Sequence, residues 1–144
     1  GLKAVARGPA ARVSTAPDEA WKAVYLGPGF DPIDGASRVD LLTRSPRNLY
    51  GSVSEDGETH AVGLVSLDDG FASIHGMRTA QHRRRQGLAA RVLSGLAATA
   101  EARGLTRVFL QVEEENGPAR ALYRQAGMEV AWRYLYCICP DAPP

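Results

Sequence analysis

Net charge is nearly absent from this chain: 17 lysines and arginines stand against 16 acids, leaving +1 over 144 residues. No global field therefore marks it for nucleic acid or a membrane surface, and any basic patch must be local. Long apolar runs are missing too. None approaches the roughly 18 residues needed to cross a bilayer, and no signal peptide is visible, so the default expectation is a cytoplasmic protein without membrane contact. Cysteine is scarce, with only Cys137 and Cys139. Two apart on an expected strand, they point to one face, which suits neither a mutual disulfide nor a tetrahedral zinc site. Small apolar fillers are their expected role, and no metal is expected. Internal repeats and low-complexity segments are absent. A starting Met is also absent, Gly1 standing first, which leaves room for a processed chain or the C-terminal part of a longer protein.

What is present reads as one globular domain, residues 1–144, with 44% hydrophobic and 23% charged residues. Gly1 to Val13 carries no periodic signal and is expected to be a frayed end or a short first strand. Thr15-Ala16-Pro17-Asp18-Glu19 reads as a helix start with Thr15 as N-cap. Trp21, Val24 and Tyr25 make its apolar face, and Gly27-Pro28-Gly29 stops it. Trp21 and Tyr25 are expected in the core rather than in a cleft. Phe30 to Gly35 looks like loop, and Ser37 to Arg44 like a short helix. Leu49 to Ser54, His60 to Leu67 and Phe71 to Arg78 follow as strands separated by Asp56-Gly57 and Asp69-Gly70. Asp-Gly between apolar runs signals a tight antiparallel turn, so these strands form a meander. Leu88, Val92, Leu93, Leu96, Ala97 and Ala100 then line one stripe of a helix from Gly87 to Arg103. Arg107 to Glu113 reads as a strand, Pro118 to Ala126 as a second helix, and Met128 to Cys139 as one or two closing strands. Strand, helix, strand makes a parallel crossover unit. The expected class is α/β (α+β): a central mixed sheet, an antiparallel meander followed by a parallel β-α-β unit, flanked by helices.

One stretch organises the rest: Thr79-Ala80-Gln81-His82-Arg83-Arg84-Arg85-Gln86-Gly87-Leu88-Ala89. A strand ending in a short basic loop that opens into a helix makes an anion cradle, because first-turn N–H groups are unpaired and carry partial positive charge. Gly87 admits close approach of a ligand, and Ala89 keeps the first turn slim. Arg83, Arg84 and Arg85 add forked donors suited to phosphate. Charge runs can equally be plain solvated surface. No Gly-Lys-Ser/Thr follows the glycine, which excludes a nucleotide phosphate loop. No aromatics interleave with His82 to Arg85, which argues against nucleic acid as a partner.

Arg84-Arg85-Gln86-Gly87-Leu88-Ala89 fits Arg/Gln-x-x-Gly-x-Gly/Ala. Downstream, Asn116, Ala119, Leu122, Tyr123 and Gly127 fit Asn-x-x-Ala-x-x-Leu-Tyr-x-x-x-Gly. The pair of motifs resembles the acetyl-CoA site of the GCN5-related N-acetyltransferases (GNAT), from about Leu49 to Tyr136. The resemblance implies a GNAT-like fold and an acyltransferase that moves acetyl from acetyl-CoA to a primary amine by direct attack on the thioester. The acceptor would be a small molecule or a peptide, and the protein a monomer or homodimer. The implied cofactor contacts are Met77, Arg78, Thr79, Arg84, Arg85, Gln86, Gly87, Leu88, Ala89, Asn116, Ala119 and Tyr123. In the family the strand before the loop carries a bulge that splays it from its parallel neighbour. Gly76 makes such a bulge plausible here; a regular strand would instead put His75, Met77 and Thr79 on one face.

By the same resemblance Tyr123 protonates the departing thiolate, an N–H near Met77 meets the carbonyl oxygen, and Asn116 holds the pantetheine arm. Tyr123 also lies on an apolar stripe with Ala119, Leu122 and Ala126, where an ordinary core tyrosine would sit. Glu113 and His75 are the candidate bases, each also readable as an ordinary strand or surface residue. Glu113-Glu114-Glu115 can alternatively draw in a cationic substrate. Departures from the pattern are Ala89 for the second loop glycine, Gln81 where proline is frequent, Met128 where Phe is frequent, and an indistinct N-terminus. The alternative function is a CoA-binding regulatory or interaction domain without significant catalysis.

Overall fold

The computed structural model describes residues 8–28 and 32–137. A short strand, β1 (Arg12–Ser14), opens it, and helix α1 (Glu19–Leu26) follows. Asp18, not Thr15, caps α1: its carboxylate accepts the Trp21 N–H at 2.8 Å. Either residue type can cap, and the chain uses the one directly before the first helical residue. Helix α2 (Pro32–Thr43) begins earlier than the Ser37 expected from its apolar spacing, with Pro32 at the position where a missing N–H costs nothing.

Strands β2 (Asn48–Glu55), β3 (Glu58–Asp68) and β4 (Phe71–Thr79) form the expected meander. Asp56 and Gly57 both take positive φ, 53° and 81°, the pair of left-handed residues that a tight two-residue hairpin needs. Helix α3 (Leu88–Ala102) returns the chain to β5 (Val108–Leu110), which pairs parallel with β4, and α4 (Gly117–Gln125) comes last. The sheet order is β1-β2-β3-β4-β5, a mixed five-stranded sheet of the expected class.

Two apolar clusters sit on opposite faces of this sheet. Val53, Ala61, Val65, Ala72 and Ile74 pack under α3 with Leu88, Val92, Leu93 and Leu96, while Leu122, Tyr123 and Ala126 of the α4 region join the same side. Val62 and Leu64 face the other way, against Trp21, Val24 and Tyr25 of α1 and Leu42 of α2. Trp21 is core, as expected: it is buried, stacked on Tyr25 at 5.2 Å, and its indole N–H donates to the Gly51 and Gly63 carbonyls. Those two glycines are cross-strand partners. They let α3 lie close on the sheet, for a Cβ at Gly51 would stand 3.0 Å from Leu96 Cδ2 and one at Gly63 3.0 Å from Val92 Cγ1.

Two expected strands fall short. The strand anticipated over Arg107 to Glu113 ends at Leu110, and no strand forms over residues 128–137. Alternation of apolar and polar residues reads the same in a paired strand and in an unpaired extended segment; only a partner edge decides, and that is not a local property. Trp132, Leu135 and Tyr136 lie exposed, at 70%, 91% and 83% of their accessible area. Cys137 is likewise exposed, so it does not fill a core, and Cys139 lies outside the described residues. No helix among the described residues is long and apolar enough to cross a membrane.

The close seat of α3 generates a test. At Gly63 a Cβ would also meet Met77 Sδ at 2.5 Å, so added bulk must displace both β4 and α3 side chains. Gly63→Val is expected to lower unfolding free energy by about 2–3 kcal/mol through overpacking. Denaturant titration checks this, and a loss below about 0.5 kcal/mol would show that the helix is not seated as described.

Candidate functional site

Beyond β4 the chain makes a single 3-10 turn, Gln81–Arg83, then Arg84 in extended backbone. Arg85 takes φ 63° and Gly87 φ 76°. A non-glycine residue held left-handed is uncommon, and here it sits two residues before the glycine that caps α3. An anion nest is built where left-handed residues alternate with right-handed ones, and Arg85 and Gly87 supply two left-handed positions in one short turn. Gly87 has no side chain with which to cap the helix, and Arg91 is the first amide to find a helical carbonyl, that of Gly87 at 3.2 Å. The N–H groups of Leu88, Ala89 and Ala90 therefore stay uncapped among the described residues. No acid stands in the first turn, and a Cβ on Gly87 would meet nothing within 4 Å. Buried Leu88 anchors this open end to the core.

The three arginines divide. Arg84 and Arg85 are exposed and form no ion pair or hydrogen bond among the described residues. Arg83 is engaged: it pairs with Glu55, donates to Gln86 Oε1 at 3.0 Å, and contacts His60 Nε2 at 3.3 Å. The expectation that all three charges surround one point is thus corrected to two.

The bulge that Gly76 suggested is present. Val62 pairs with Arg78 and Leu64 with His75, so Gly63 stands opposite both Gly76 and Met77. Gly76 takes φ 59°, and a Cβ there would press on the Tyr25 ring at 3.1 Å. The extra residue changes the faces. Met77 packs with the α3 cluster, and Thr79 stands opposite Ala61 of that cluster. His75 and Arg78 stand opposite Leu64 and Val62, on the α1 side. His75, Met77 and Thr79 consequently do not share a face as a regular strand would require. Pairing of β4 with β5 covers only Ala72 to Ile74, so from His75 onward β4 has left its parallel neighbour.

Arg78 Nη1 donates to the Tyr25 carbonyl at 3.0 Å, setting a cation at the C-terminal end of α1. Its side chain thus turns away from the loop. Asn116 caps α4, its Oδ1 accepting the Ala119 N–H at 3.2 Å, which leaves the amide NH₂ to donate elsewhere. Tyr123 is half-buried on the α3 side, in the cluster that Met77 also joins, and burial holds its phenol above the ordinary value. His75 lies on the other face, where its Nε2 meets Ser73 Oγ at 2.8 Å; the residue is exposed overall, and partial desolvation of the ring lowers its pKa. Glu113 is exposed beyond the end of β5, and its carbonyl accepts the Asn116 N–H at 3.1 Å in the turn before α4. Glu114 pairs with Arg133 at 3.5 Å. A cavity of about 540 Å³ opens at the other end of β4, lined by Asp68, Asp69, Phe71, Ser73 and Phe109 among others, away from the loop. Among the described residues no group of three or more His, Cys, Asp or Glu side chains could hold a metal ion.

Sequence reasoning passed over Glu55, His60 and Arg91, which brace the loop from behind. Arg91 is only 8% exposed although it belongs to a helix whose apolar stripe does not need it. An arginine three residues after Leu88, on the flank of the apolar stripe, was the available signal.

An open helix start behind a nest, beside a bulged strand leaving its parallel neighbour, is the arrangement that the two motifs imply. The chain belongs to the acetyltransferase (GNAT) family, whose profile matches residues 15–128. It is 33% identical over 112 residues to the uncharacterized N-acetyltransferase YobR of Bacillus subtilis (strain 168), covering 76% of this chain and 45% of that protein. The chain thus spans under half the length of that curated relative. Among solved structures it is similar to the aminoglycoside N-acetyltransferase AAC(6')-Iy in complex with CoA, with a TM-score of 0.70 at 15% identity over 94% of this chain and 99% of that one. The ribosomal-protein-S18-alanine N-acetyltransferase from Escherichia coli gives a TM-score of 0.66 at 21% identity, covering 81% and 76% of the two chains. These structural likenesses establish the shared fold.

Proposed function

We propose that this domain transfers an acetyl group from acetyl-CoA to a primary amine. The observation that carries the reading is the uncapped start of α3, with Gly87 left-handed and Arg84 and Arg85 exposed beside it. That set fits a pyrophosphate: uncapped N–H donors open the helix, two exposed cations stand near, and no carboxylate competes in the first turn. Unpaired backbone of β4 at Met77 to Thr79 suits the amides of a pantetheine arm, and the free NH₂ of Asn116 adds a donor near α4. A likeness to a CoA-bound neighbour supports the same cofactor.

In this reading acetyl-CoA supplies an activated carbonyl and a thiolate leaving group. The amine nitrogen attacks the carbonyl carbon, a backbone N–H near Met77 donates to the developing oxyanion, and the C–S bond then breaks. Tyr123 is the donor to the leaving sulfur. Burial keeps its phenol protonated, which favours a hydrogen bond to the developing charge over full proton loss. The attacking amine must shed a proton. His75 is the proposed acceptor, because its lowered pKa keeps it neutral and Ser73 orients its ring. Glu113, exposed with Glu114 and Glu115 beyond β5, is better suited to drawing in a cationic amine.

Three measurements test this reading. Gly87→Glu places bulk and negative charge at the nest and is expected to abolish the rise in melting temperature that CoA gives the wild type; undiminished stabilisation of the folded variant would remove the cofactor assignment. Tyr123→Phe removes only the hydroxyl, so turnover should fall by about 10²-fold or more, with little change in acetyl-CoA KM or melting temperature. Unchanged turnover, with chemistry rate-limiting, would leave Tyr123 a packing residue. The third concerns pH. Since partial desolvation lowers the His75 pKa, the active neutral base is lost only as pH falls through a value below about 6.5, so kcat/KM should decline on an acidic limb there. His75→Ala should erase that limb, and a limb that persists assigns the proton to another group.

A further inference from the structure

Behind the arginine loop lies a charge cluster that acetyl transfer itself does not use. Glu55 ends β2, beside the Asp56–Gly57 turn, and two guanidiniums from different elements share its carboxylate. Oε1 accepts from Arg91 Nη1 of α3 at 2.8 Å, and Oε2 accepts from Arg83 Nη2 of the 3-10 turn. All three Arg83 nitrogens are engaged, by Glu55, His60 and Gln86. His60 is itself buried, at a point where the β2–β3 register skips a residue, and its carbonyl accepts the Ala80 N–H at 2.7 Å. Arg91 in turn donates through Nε to the Pro9 carbonyl at 2.7 Å.

One carboxylate therefore grips both ends of the segment that makes the nest. Arg83 precedes it, Arg91 follows it, and between them lie Arg84, Arg85, Gln86, Gly87 and the first turn of α3, Leu88 to Ala90. We propose that Glu55 is a positioning residue for the cofactor loop: by holding Arg83 and Arg91 together it fixes the left-handed Arg85 and the open start of α3 in the conformation that receives the CoA pyrophosphate. This rests on the acetyl-CoA reading above, and Glu55 itself touches no phosphate in it. The physical argument has two parts. Arg85 at φ 63° is a conformation that a free loop abandons, so converging N–H donors need an outside restraint. Without Glu55 the cations of Arg83 and Arg91 would also repel across the loop base. The carboxyl is held below the ordinary glutamate value by the Arg91 hydrogen bond first and by the nearby charge of Arg83, so it stays ionised through the neutral range.

Removing Glu55 has an opposing effect as well, because it frees Arg83 to act as a third phosphate ligand. Arg84 and Arg85 already supply exposed, screened charge there, whereas ordered donors depend on the restraint, so loss of order should dominate.

The test is CoA titration calorimetry on wild type, Glu55→Gln, Arg83→Gln and the double variant, with steady-state kinetics alongside. Glu55→Gln should raise the CoA Kd and the acetyl-CoA KM about tenfold while kcat stays within about twofold. Arg83→Gln should do the same even if Glu55→Gln folds poorly, and the double variant should be no worse than either alone, since both act through one tether. Amide exchange over Arg85 to Ala89 in the free protein should speed up in each. A folded Glu55→Gln that binds CoA as tightly as wild type, or more tightly, overturns the inference, as does full additivity. Failure of wild type itself to bind CoA would overturn the acetyl-CoA reading and this inference with it.

Discussion

The constraint on which the rest of this structure depends is the unequal count of residues between β3 and β4. Gly63 faces two residues of β4, Gly76 and Met77, instead of one. That single extra residue exchanges the faces of everything after it: Met77 and Thr79 turn under α3, and Arg78 turns to α1. It also coincides with the place where β4 parts from β5, so the sheet is closed at Ile74 and open from His75. A cleft between two parallel strands needs such a departure, because regularly paired strands leave no backbone group for a ligand. Glycine is required on both sides of it. Gly76 supplies the left-handed residue under the Tyr25 ring, and Gly63 leaves room for Met77 and Val92 above it.

The bulge places the proposed acid and base on opposite faces. Tyr123 joins the α3 cluster with Met77, and His75 stands with Ser73 on the α1 side. Desolvation acts on both, raising the half-buried phenol and lowering the more exposed imidazole, because in each case it disfavours the charged form. Both groups are therefore neutral near pH 7, one able to donate a proton and the other to accept one. Direct attack needs that division, with the amine losing its proton on one side of the carbonyl and the sulfur receiving a hydrogen bond on the other.

Much of this was legible in the residues. Asp56-Gly57 and Asp69-Gly70 marked the meander, the Leu88 to Ala100 stripe marked α3, and Gly87 with Asn116 marked the starts of α3 and α4 at which the cofactor is proposed to sit. Gly76 signalled the bulge, though not which side chains it would exchange. What stayed hidden depends on distant partners. Arg83 looked like one more phosphate ligand, and only the fold reveals that Glu55, 28 positions earlier, occupies it. Met128 to Cys139 looked like one or two strands, but a strand exists only where an edge receives it, and β5 is three residues long; none forms over residues 128–137. Thr15 and Asp18 were equivalent as caps on residue type, and the first helical turn chose between them.

The two-residue hairpin at Asp56–Gly57 has a consequence for how this domain can vary. Loop tips are ordinarily where a chain accepts insertions most readily. This tip is different, because Glu55 stands immediately before it and must reach two arginines on separate elements. Side chains alternate along a strand, so lengthening the turn in a way that slips β2 by a single residue would carry the Glu55 carboxylate to the other side of the sheet. The hairpin is solvent-exposed and short, yet its length is tied to the loop that leaves β4 at the same end of the sheet. Among the turns of this domain it should be the one least tolerant of an added residue.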